Sequence, residues 1–203
     1  MAKRSAPEVN AGSMADIAFL LLIFFLVTTT IETDRGISRK LPPIQDENVV
    51  PPVIKQKNIF TVIVDRNNRL LVEDEIMELA NLRKAAIAFL DNGGGVGEDG
   101  CTYCQGAKDP AASDNPKKAI ISLVNDRKTE YRTYISVQNE LVAAYNELRD
   151  RESQRLFGMD YLDMEAKYND PNFRGNKDKL ETQLNQVKEM YPQLLSEAEP
   201  KSS

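Results

Sequence analysis

Two small groups of residues in this chain have types and spacing that could do chemistry. The first is Asp16, the only ionisable side chain in the stretch NAGSMADIAFLLLIFFLVTTTI, residues 10–31. A carboxylic acid in such surroundings can take up and release a proton. Acids within membranes are rare, face other helices or water, and often act as relays. A plainer reading competes with this one. Ser13-Met14-Ala15-Asp16 fits an S-x-x-[DE] capping box, in which the acid serves the first helical turn and faces the positive end of the helix dipole. Residue chemistry leaves the two readings open.

On a helix, Asp16 shares a face with Leu20, Ile23 and Val27. That face carries no cation, so a lone span could neutralise the acid only by protonation. The proton reading therefore implies a partner with helices of its own. Thr28 and Thr29, near the far end, would help hydrate a proton path.

The second group is Cys101 and Cys104, one C-x-x-C inside a Gly/Asp-rich stretch. Two thiolates cannot close a tetrahedral zinc site, and the chain has no histidine to complete one. A redox motif would normally open a helix in a βαβ unit, whereas this pair sits among turn residues. A disulfide tying the loop tip is the reading that fits an oxidising compartment. The neighbouring GGGVG is followed by no Gly-Lys-Ser/Thr and opens no helix, so it reads as a flexible loop and not as a phosphate cradle.

Composition narrows the classes further. The 203 residues carry a net charge of -5 without basic runs, which gives no electrostatic reason to expect nucleic-acid binding. The absence of histidine removes the commonest general base, and no enzymatic activity or cofactor is expected. A hydrophobic fraction of 41% with 28% charged residues describes a water-soluble composition once the apolar stretch is set aside. One span plus one modest domain suits the length.

The element that must position Asp16 is the apolar stretch. Every residue from Ile17 to Val27 is apolar, and the charge-poor region from Val9 to Ile31 makes roughly 33 Å of helix, enough for a ~30 Å hydrocarbon core. Lys3 and Arg4 resemble the start of a signal peptide, but no small-x-small cleavage site follows, so an uncleaved anchor over residues 11–31 is expected. Arg35, Arg39 and Lys40 offset Lys3 and Arg4 in the positive-inside count. Since long downstream domains cross regardless of flanking charge, a cytoplasmic N-terminus, residues 1–10, is retained.

Asn10 six residues before Asp16, the apolar FLLLIFFLVTT, and Leu41-Pro42 after it together resemble the ExbD/TolR family of proton-driven inner-membrane motor subunits. Gly12-Ser13 stand where the family usually has Thr-Pro. The resemblance implies that Asp16 is the protonatable residue, with Asn10 and Ser13 at the helix entry and protons as the coupling ion. It implies a homodimer inside a ring of ExbB-like polytopic subunits, working on a TonB-like transducer for outer-membrane transport. A TolR-like, peptidoglycan-binding subunit is the alternative, as is a non-conducting single-span anchor with a periplasmic binding domain. The family's short recognition stretch after the span maps onto Ile37, Leu41 and Pro42, with Arg39 replacing its middle apolar position.

Residues 32–57, with Pro42, Pro43, Pro51 and Pro52 among polar neighbours, read as an extended periplasmic linker. Residues 58–152 read as an α+β domain. Phe60, Val62 and Val64 alternate in a first strand, residues 65–68 make a turn, and Leu70–Val72 return as a second strand. A helix over residues 75–92 would carry Ile76, Leu79, Leu82, Ala86 and Phe89 or Leu90. KKAIISLVND supplies a third strand and residues 133–152 a second helix facing Ile135, Leu141, Tyr145 and Leu148 inward. Strand, strand, helix, strand, helix is an α+β order with a mixed sheet. It is also the order the resemblance implies for the periplasmic domain. Residues 92–116 stand out as an insertion. Residues 153–203 form a partly helical extension in which Leu180, Leu184, Val187 and Tyr191 have amphipathic spacing.

Overall fold

The computed structural model describes residues 11–28 and 54–198. They belong to two units, divided at Val50 and Pro51, and each is treated by itself. In the first, α1 covers Ala11–Thr28. Its described side chains are exposed, among them Met14, Ile17, Phe19, Leu20, Leu21, Leu22, Ile23, Phe24 and Phe25. A helix apolar on every side has no water-facing stripe of its own. Eighteen residues rise about 27 Å. No helix among the described residues is long and apolar enough to cross a membrane. Residues 29–31, counted into the expected span, lie outside the described residues.

The second unit is a mixed five-stranded sheet, β1 (Ile59–Val64), β2 (Leu70–Val72), β3 (Glu75–Met77), β4 (Ile120–Asn125) and β5 (Leu195–Ala198), in the order β3-β2-β1-β4-β5. β1 pairs antiparallel with β2 and parallel with β4, and β5 lies parallel on the outer side of β4. Period two in IFTVIV puts Phe60, Val62 and Val64 on one face, and the register sets Phe60 opposite Ile121 and Val62 opposite Leu123. α2 (Leu79–Leu90) and α3 (Tyr131–Phe157) cover that face with Leu82, Ala86, Leu90, Val137, Leu141, Ala144, Tyr145 and Leu148. Of the four residues expected to face inward from α3, Leu141, Tyr145 and Leu148 are buried and Ile135 is half-buried.

Glu75-Ile76-Met77, expected as the start of a helix, is instead the edge strand β3. Glu73 and Asp74 both take positive φ, 50° and 68°, and Val72 sits opposite Glu75, which makes a two-residue hairpin turn. The turn lacks the Asn-Gly or Asp-Gly that usually announces such geometry, and the 3.6-residue spacing of Ile76 with Leu79 is coincidental. Ile76 is 73% exposed. The helix starts only at Leu79.

Beyond residue 152 the chain is more regular than a partly helical extension. Residue 153 lies inside α3, which runs on to Phe157 and ends on Gly158 in the left-handed conformation. α4 (Tyr161–Asn169) starts on Asp160, whose side chain accepts from the Leu162 and Asp163 amides. α5 (Lys177–Met190) starts in the same manner on Asn176. Tyr161 and Met164 of α4 join Leu180, Leu184 and Val187 of α5 in a second apolar cluster. The chain then returns to the sheet as β5.

In residues 92–116, with GGGVG expected to be a flexible loop, the side chain of Asn92 ties the segment together. It donates to the carbonyls of Asp109 and Ser113 at 2.9 and 2.8 Å and accepts from the Asp109 amide at 3.0 Å. Gly94 lies so close to this loop that a Cβ there would come within 2.0 Å of the Asp109 carbonyl oxygen. These glycines allow backbone to pass against backbone, which is order and not slack.

Candidate functional site

Asp16 is an exposed residue in the second turn of α1. The helix begins at Ala11, so Ser13 is already its third residue and cannot serve as the N-cap of a capping box. Asp16 sits about 7 Å along the axis from the helix start and about 18 Å from Thr28. Leu20 and Ile23 share its face, 58% and 40% exposed. Within α1 there is no other ionisable residue, so the carboxyl has no cation on its own helix. Such a group can bind or release a proton where a second helix or water reaches it. Asn10, Thr29, Ile37, Leu41 and Pro42 lie outside the described residues, and Thr28 ends the helix.

In the second unit Cys101 and Cys104 are joined in a disulfide. The Cys104 amide points at the Cys101 sulfur, 3.1 Å away, and Cys104 is buried while Cys101 is half-buried. Beneath this small ring lies Gly93 at φ 65°, where a Cβ would stand 2.7 Å from the Cys104 Cβ.

Sequence reasoning missed the polar junction that this turn touches. Asp91 caps the end of α2, only 4% exposed. It accepts from the two terminal guanidinium nitrogens of Arg151 at 2.6 and 2.9 Å, from the Tyr191 hydroxyl at 2.6 Å and from the Gln105 amide at 3.3 Å. Tyr191 is fully buried, and its carbonyl accepts two bonds from Arg149. Glu152, also fully buried, is held by Arg151 and Arg155. Burial, reinforced by the hydrogen bond to Asp91, pushes the Tyr191 phenol well above its ordinary value. Burial, with the charges of Glu152 and Asp91, pushes Tyr103 up to about 12. The hydrogen bonds that Arg151 donates to Asp91 raise it despite the opposing effect of burial. Asp91, Arg151 and Tyr191 at the centre of the junction are 40 to 100 positions apart. No local spacing announces them.

A second junction fixes the start of the unit. Asp114 takes Lys57 at 2.5 Å and Lys55 at 3.1 Å and binds Asn58 by its side chain. Burial pushes Asp114 up, but the hydrogen bonds from Lys57, Lys55 and Asn58 outweigh it and hold the carboxyl below its ordinary value. Among the described residues no group of acids and cysteines is arranged to hold a metal ion. Among the described residues these junctions hold segments of the unit together.

Comparison with known families gives one match, to a model described as "Biopolymer transport protein ExbD/TolR", over residues 2–149. It begins ahead of Asp16, takes in the sheet as far as β4, and stops within α3. No individual curated protein matches the chain.

Proposed function

The chain belongs to the ExbD/TolR family of biopolymer transport proteins, and from that premise we propose that it is a proton-conducting, ExbD-like subunit of an inner-membrane motor. Residues 11–31 form its single span, about 31 Å as a helix. The N-terminus is cytoplasmic and the α+β unit periplasmic. A ring of ExbB-like subunits supplies the helices that face Asp16, two copies of this chain work together, and a TonB-like transducer receives the motion.

The observation that carries this reading is a single carboxyl on an otherwise apolar helix, placed beyond the reach of a capping role. In the proposed cycle Asp16 takes a proton from the periplasmic side and releases it towards the cytoplasm. One elementary charge crossing 100 mV is worth ~2.3 kcal/mol, so a few protons per step supply enough free energy for a conformational stroke. Thr28 and Thr29 support the hydrated path, and Ile37, Leu41 and Pro42 form the contact with the transducer.

Asp16→Asn keeps the size of the side chain and abolishes its titration. Expected are normal expression and normal co-purification with the ExbB-like partner, together with loss of iron-siderophore or cobalamin uptake. Uptake that survives in a correctly assembled Asp16→Asn variant sinks the proton role.

A further inference from the structure

We propose that the Cys101–Cys104 disulfide is a thiol-exchange site whose reduction by a dithiol loosens the C-terminal strand β5 from the sheet. The ring does not merely close a turn. Tyr103, between the two cysteines, donates its hydroxyl to the Met190 carbonyl at 2.7 Å and sets its ring edge-on to Tyr191 at 5.5 Å. Gln105 and Gly106, just after the ring, donate to Asp91, which also holds Tyr191. The turn thus clasps the end of α5 at the point from which β5 departs, four residues later.

β5 is a short edge strand; just before it the Leu194 carbonyl accepts from the Ile121 amide, and Arg149 and Arg151 also hold Tyr191. Leu195 is half-buried and Ser196, Glu197 and Ala198 are exposed, and the pairing with β4 is four residues long. The Glu197 side chain meets Tyr134 at 2.5 Å, with Gln138 beside it. Residues 150–198 lie beyond the family match, and β5 covers the outer edge of β4. An uncovered strand edge is a ready surface for pairing with another chain.

A ring closed over so short a stretch constrains the unfolded chain less than a long loop does. Cys101 is half-buried and Cys104 is buried, so Cys101 is the more accessible of the two to a reductant. A thiolate of the dithiol attacks the Cys101 sulfur, the S–S bond breaks, and Cys104 leaves as a thiolate that takes up a proton. The second thiol of the reductant then displaces Cys101 and closes its own disulfide. Two electrons and two protons pass to the protein, and the dithiol is oxidised.

The test is hydrogen exchange on the full-length chain in detergent, before and after dithiothreitol, with alkylation and mass measurement counting free thiols. Expected on reduction is at least tenfold faster exchange at residues 195–198, with β1 and β2 within twofold of the oxidised chain. Tyr103→Ala, which leaves the disulfide intact, should speed β5 in the same way without reductant. A disulfide that dithiothreitol does not open in the folded chain overturns the proposal. So does β5 exchange that stays unchanged with two thiols alkylated, or that accelerates no more than β1, since a general staple would act on both.

Discussion

Replacing Asp91 by alanine tests whether the polar junction, and not the apolar core alone, ties the C-terminal helices to the sheet. The carboxylate is 6% exposed and serves Arg151, Tyr191 and Gln105 together. Removing one partner of a buried ion pair costs about 3–5 kcal/mol, because the other charge stays behind uncompensated. Here the Arg151 side chain is 29% exposed and keeps Glu152 at 3.3 Å, which puts the expected cost at the low end, about 3 kcal/mol. For a unit of this size each kcal/mol lowers the melting temperature by about 2–4 °C, so a fall of roughly 6–12 °C is expected. The assay is thermal unfolding by circular dichroism of the full-length chain in detergent. Arg69→Ala is the control: it removes an exposed pair with Asp65, 59% and 21% exposed, and should leave the melting temperature nearly unchanged. The double variant Asp91→Ala/Tyr191→Phe should fall short of the sum of the two single changes, since both remove one hydrogen bond. An Asp91→Ala protein that melts within about 2 °C of the parent refutes the reasoning.

Two further outcomes follow from the same packing. Gly93→Ala puts a methyl against Cys104 at a positive φ, and a loss of about 1–3 kcal/mol is expected; urea unfolding checks it, and an unchanged midpoint contradicts the close contact. Burial raises the phenols of Tyr103, Tyr145, Tyr161 and Tyr191. The folded chain therefore holds these protons more tightly than the unfolded one. Stability should be fully present below pH ~10 and fall as pH rises above it, between about 10 and 12 in the case of Tyr103. The slope is at most about 1.4 kcal/mol per pH unit for each tyrosine kept protonated, and less for the half-buried Tyr103. Urea midpoints from pH 9 to 11.5 (roughly the window set by a free tyrosine near 10) and phenolate absorbance measure this; all seven tyrosines titrating as free phenols in the folded chain would contradict it.

Where local pattern and tertiary demand agreed, the sequence could be read directly. The alternation of Phe60, Val62 and Val64, the turn before Leu70, and the helical spacing of Leu82 with Ala86 each reappear as buried faces. Leu180, Leu184 and Val187 do the same in α5. Where a segment's state depends on what it meets, the pattern was silent or misleading. β3 exists because Leu70 and Leu71 offer an edge for it to pair with, and its turn uses Glu73 and Asp74 at positive φ without the usual residues. β5 exists because β4 had a free side.

The sequence by itself determined the apolar run around Asp16, the α+β class and the family, because each rests on residue type or short-range pattern. The helix bounds put Ser13 inside α1 and not at its cap. Tertiary structure alone decided that Gly93 and Gly94 serve close packing, and that Cys101–Cys104, Asp91, Arg151 and Tyr191 form one junction. Contacts between residues up to 100 positions apart leave no periodic trace in a chain, since what brings them together is the burial of surfaces whose meeting no local rule encodes.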